Sequence, residues 1–121
     1  MAILLFEPET SKLSEYELSE LVPVMVKCLQ NKVGKDNAVS NSFMVEKMQE
    51  HGYKISEARV RKIINHIRSN GIIECLIASN RGYYITKDKN EMKNYCHSLF
   101  QRQEAIEEVR IAMENQLDKM K

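Results

Sequence analysis

The chain has 121 residues, a length at which one hydrophobic core is the default and a second has little room. Its 43% hydrophobic and 29% charged residues exclude a disordered chain, which would lack the apolar side chains needed to offset its ordering entropy. The net charge of +1 excludes nothing until it is divided along the chain: residues 1–20 carry five glutamates against one lysine, whereas residues 54–71 carry Lys54, Arg59, Arg61, Lys62 and Arg68 against Glu57 alone.

The apolar start, residues 1–6, has no basic residue before it and meets Glu7 and Pro8 at once. It is too short for a signal or a membrane span, so a cytoplasmic protein with no membrane contact is expected. Whether these residues add a strand or form an exchanged arm is left open. Cys28, Cys75 and Cys96 are odd in number and widely spaced, each on an expected apolar face, which reads as three reduced, buried thiols.

Ser14-Glu15-Tyr16-Glu17 fits a capping box and opens a first helix. Leu18, Leu21, Val22, Met25, Val26, Leu29 and Val33 then follow mostly at three- and four-residue steps up to Gly34, a C-terminal stop. Pro23 lies inside the pattern and should kink or split this helix, because it lacks an N–H and its ring meets the carbonyl of Ser19. Ser40 is the expected cap of a second helix running to about His51, with Val39 stapled onto Met44 and with Val45 and Met48 extending the buried face.

Ser56 caps a third helix running to Asn70, with Ile55 stapled onto Val60 and Gly71 as terminator. Val60, Ile63, Ile64 and Ile67 form one stripe, so Lys62, Asn65 and Ser69 face away, flanked by Arg59, Arg61 and His66. The runs at 72–77 and 83–85 then read as a β-hairpin, with Asn80 and Gly82 in the connecting loop suited to positive φ. Asp88-x-x-Glu91 opens a last helix that continues without Gly or Pro to the end.

Helix, short helix, turn, basic helix and hairpin is the layout in which a helix enters the major groove and the hairpin lies alongside. Residues 54–71, followed by Ile72, a short hairpin and Gly82-Tyr83-Tyr84-Ile85, resemble the winged helix-turn-helix domains of bacterial and phage regulators. The ending in helix, Asn-Gly-Ile, hairpin and Gly-Tyr is similar to the N-terminal domain of the biotin repressor family. The resemblance covers roughly residues 14–86. It implies a mainly α protein with a small hairpin, a winged helix-turn-helix at 14–86 between an arm at 1–13 and a C-terminal helix at 87–121.

It further implies duplex-DNA binding through Arg59, Arg61, Lys62, Asn65, His66 and Ser69 on the recognition helix and Ser79, Asn80 and Arg81 at the wing tip. Arg and Lys suit phosphate or guanine, and Asn65 can read adenine bidentately. No ligase or sensor segment accompanies the motif, so no small-molecule ligand is expected. The other reading is a winged-helix adaptor that holds a protein. Single-stranded RNA fits less well, since at least one of Tyr83 and Tyr84 should be core rather than a stacking platform.

Enzymatic chemistry finds no support: His51, His66 and His97 lie in separate elements, and no zinc-binding spacing or phosphate-cradling glycine loop is present. Cys96-His97 would be a poor metal pair, because neighbours on a helix diverge by about 100°. No cofactor or metal is expected. On the last helix Met92, Leu99, Ile106, Met113 and Met120 recur every seven residues. The first half, Met92, Tyr95 and Leu99, is expected to pack on the domain. Ile106, Val109, Met113 and Leu117 are read as the interface of a homodimer whose recognition helices would address a palindromic site.

Overall fold

A computed structural model describes residues 12–120. The protein is mainly α-helical with one small hairpin and a long C-terminal helix. It divides into two compact units, one ending at Lys87 and the other starting at Asp88. Of the expected arm at 1–13, residues 1–11 lie outside the described residues.

In the first unit the Ser14 capping box forms reciprocally: the Glu17 N–H donates to Ser14 Oγ (3.1 Å), and the Ser14 N–H donates to Glu17 Oε1 (2.8 Å). The chain then widens into a π turn, Glu17–Leu21, that runs directly into α1 (Val22–Leu29). Pro23 sits in the first turn of α1. The expected break is therefore absorbed by one wide turn, in which the Val22 N–H reaches back to the Glu17 carbonyl and the absent Pro23 donor is not needed. The extra residue also rotates the apolar face: Leu18, expected in the core, is 44% exposed, and Glu17 is buried in its place.

The first helix ends at Leu29 rather than at Gly34. Residues 32–34 instead lie along the hairpin, where the Ile85 N–H donates to the Lys32 carbonyl (2.7 Å) and the Gly34 N–H to the Ile85 carbonyl (2.9 Å). Val33, read as the last rung of the helix, is thus a bridge residue and exposed. A short 3-10 turn, Lys35–Asn37, precedes α2 (Asn41–Glu50), which Ser40 caps by accepting from the Phe43 N–H. Val39 and Met44, the expected staple, are both buried. Then follows α3 (Glu57–Ser69), capped by Ser56 and closed by Gly71 at φ +66°.

The hairpin pairs β1 (Leu76–Ser79) with β2 (Gly82–Ile85), antiparallel, in the register Leu76 to Ile85 and Ser79 to Gly82. Its connection is the two residues Asn80 and Arg81, shorter than the loop expected, and only Gly82 there has positive φ (+122°). Tyr83 exchanges backbone hydrogen bonds with Val39 (2.8 and 3.0 Å), and this closeness requires glycine at 82: a Cβ there would run into the Val39 carbonyl and come 2.7 Å from the Ser40 nitrogen. The expected strand start at Ile72 is instead a turn, in which Cys75 adopts φ +60°.

Leu21, Met25, Leu29, Met44, Val60, Ile63, Ile64 and Ile67 form the centre of the core, joined by Leu76, Tyr83 and Ile85 from the hairpin. Both Tyr83 and Tyr84 are buried, which leaves neither as a stacking surface. The expectation of three buried thiols is corrected. Cys28 is half-buried with Sγ 3.6 Å from Met44 Sδ, whereas Cys75, in a turn instead of a strand, and Cys96 are exposed.

The second unit is α4 (Lys89–Leu117), whose cap Asp88 accepts from the N–H groups of Asn90 and Glu91. Met92 and Tyr95 are half-buried, and the residues from 99 onward are exposed. No described helix is long and apolar enough to cross a membrane.

Candidate nucleic-acid interface

Because Val60, Ile63, Ile64 and Ile67 fix which side of α3 faces the core, the same period turns Arg61, Asn65 and Ser69 outward, with Lys62, His66 and Arg68 half-buried at the margins. Two clefts flank this face. One of about 410 Å³ lies between α3, the start of α2 and the hairpin, and brings together Arg61, Asn65, Arg68, Ser79 and Asn80. The other, of about 420 Å³, is bordered by Lys12, Leu18, Lys62, Asn65, His66 and Ser69. Asn65 stands on the ridge between them, its Oδ1 accepting from Arg68 Nη1 at 3.4 Å.

At the hairpin tip the Ser79 hydroxyl accepts from the Arg81 N–H (3.2 Å) and donates to the Gly82 carbonyl (3.0 Å), which shapes the turn. Asn80 is exposed. Arg81 is 59% exposed at its side chain, with Nη1 3.5 Å from Asp36 of the 3-10 turn, a contact that screening makes weak.

Arg59 is not part of this face, and its assignment as a DNA-contacting residue is corrected. Its Nε and Nη2 donate to the two oxygens of Glu17 (2.8 and 2.7 Å), and Nη2 also reaches the Lys12 carbonyl (3.1 Å). The side chains of Arg59 and Glu17 are only 17% and 10% exposed. The Arg59 guanidinium holds the Glu17 carboxyl below its ordinary range against the opposing effect of burial, with Ser14 adding hydrogen bonds, and Glu17 in turn raises Arg59. This pair joins the π turn to the first turn of α3. It also removes one cation from the positive segment, and Arg61 Nη2 lies 3.6 Å from Glu57 one turn away.

Three participants were not among the sequence candidates. Arg68 counted toward the local charge but was not placed at the site, Lys12 lies beyond the motif, and Asn41 gave no signal. Asn41 is the first residue of α2. Its Nδ2 donates to the carbonyl of Glu57, the first residue of α3 (3.1 Å), while its Oδ1 accepts from the Tyr83 hydroxyl of β2 (2.8 Å). One amide thus ties both helices of the pair to the hairpin.

Among the described residues no three His, Cys, Asp or Glu side chains are grouped to hold a metal ion. Compared with protein families, with curated proteins and with solved structures, the chain has no match.

Proposed function

We propose that this chain is a cytoplasmic, non-enzymatic protein that binds duplex DNA as a transcriptional or replication-associated regulator of bacterial or phage type. The observation that carries the reading is the juxtaposition of Arg61, Asn65 and Arg68 of one core-anchored helix with the polar hairpin tip across a common cleft, with Lys62 of the same helix on the far side of Asn65. A helix presented in this way fits a major groove. Its cations serve phosphates and guanine edges, and an asparagine at its centre serves adenine. The hairpin, with Asn80 and Arg81 at its end, would follow the adjoining backbone.

The test is duplex binding by fluorescence anisotropy over a salt series, with a random-sequence pool to select preferred sites. Each phosphate contact contributes a slope of about 0.9 in log affinity against log salt, so Arg61→Ala with Lys62→Ala should reduce the slope by up to about 1.8 and leave the fold intact. Weak, salt-insensitive binding would reject the DNA reading in favour of a protein-holding adaptor.

A further inference from the structure

We propose that the outer part of α4 pairs with the same helix of a second copy of this chain, and that the two helices run antiparallel. Within α4, Leu99, Ile106, Val109, Met113 and Leu117 are 40, 70, 59, 51 and 63% exposed, and Met120, just past the helix end, is 74% exposed. Steps of three, four and seven residues return to nearly the same side of a helix, so the five within α4 make one stripe about 27 Å long. Phe100 and Ile111, also exposed, fall off it. Five large apolar side chains in one line exceed the scattered exposure that a surface normally shows. A second copy brings a stripe of equal length and width with no other component needed.

Charge sets the direction. From 89 to 103 the helix carries Lys89, Lys93 and Arg102 against Glu91, whereas from 104 to 118 it carries Glu104, Glu107, Glu108, Glu114 and Asp118 against Arg110. A parallel pair would align basic half with basic half and acidic half with acidic half. An antiparallel pair lays each basic half beside the partner's acidic half. Arg102 sharpens the choice, since it falls within the apolar stripe: a parallel pair would set two guanidinium groups face to face in the seam, while an antiparallel pair centred within residues 104–108 separates them along it. The helix ends agree. The last turn of α4 has no basic residue to offset its negative pole, and an antiparallel neighbour supplies its positive N-terminal end and basic first half there.

Neither step involves DNA, so this pairing stands or falls separately from the function proposed above. Sedimentation of the intact chain at micromolar concentration should show a dimer. Ile106→Asp with Met113→Asp should give a monomer whose first unit melts unchanged. For direction, a spin label is attached at Lys119→Cys in a chain carrying Cys75→Ser and Cys96→Ser, with the same chain lacking the Lys119 change reporting any label at Cys28. Antiparallel helices place the two labels about 30–45 Å apart, and parallel helices hold them within roughly 20 Å. A monomeric intact chain, or a dimer that survives both aspartates, overturns the pairing; labels at the short distance overturn the direction.

Discussion

Replacing Arg59 by alanine separates a structural from a DNA-contacting role. The substitution removes two hydrogen bonds to Glu17, at 2.8 and 2.7 Å, and one to the Lys12 carbonyl at 3.1 Å, and leaves a carboxylate whose residue is only 8% exposed. Stripping one partner from a buried pair costs roughly 3–5 kcal/mol, because the remaining charge loses its compensation while still shielded from water. Both side chains keep a small wet fraction, so the low end, about 3 kcal/mol, is expected here. For a domain of this size that corresponds to a fall in Tm of about 12–24 °C.

Urea and thermal unfolding followed by circular dichroism measure this loss, and anisotropy on the folded fraction measures the duplex. The salt slope should not change, since the guanidinium is committed to Glu17 and not to a phosphate. A loss of stability below about 1 kcal/mol accompanied by a reduced salt slope would refute the assignment and return Arg59 to the interface.

Glu17→Gln should flatten the acid limb of stability. The Glu17 carboxyl is depressed in the folded state, so its contribution is present above the unfolded value and lost as pH falls through the folded one; the variant should be less stable near neutrality and converge on the parent in acid. Gly82→Ala should cost at least the roughly 1–3 kcal/mol of a strained backbone, with the clash on Val39 added, and a loss within 0.5 kcal/mol in urea unfolding, about the level of a neutral surface change, would contradict the described approach. Tyr83→Phe removes the hydroxyl bound to Asn41 and should lower stability by about 1 kcal/mol. Arg81→Ala should weaken random and selected duplexes equally, as expected of a backbone contact; selective loss on one sequence would assign it to base reading.

The capped starts of α2 and α3 and the stripe of α3 were legible in the sequence, because a hydroxyl followed by an apolar period of 3.6 is a local signal that the tertiary structure has no reason to override. Leu18 and Val33 were misplaced for opposite reasons. A π turn ahead of Pro23 inserted a residue and moved Leu18 off the core face, while Val33 met the helical spacing by coincidence and was claimed by backbone bonds to Ile85. At the site, the outward residues of α3 followed from its period. Arg59 did not, since Glu17 lies 42 residues away and only folding brings the two together. Asn41 was invisible for the same reason: an asparagine after a serine cap is ordinary until Tyr83 and Glu57 arrive from other elements.

The Asn41 amide, shared between α2, α3 and the hairpin, also determines how the interface would behave mechanically. With those bonds in place α3 and β2 are joined like the jaws of a calliper set to one opening. A duplex seated between them would have to match that gauge or deform toward it. Stiff and pliable base steps differ in the energy of such deformation. Preference would then extend to base pairs that no side chain touches, and loosening the joint at Asn41 would relax that preference while leaving the cations of α3 unchanged.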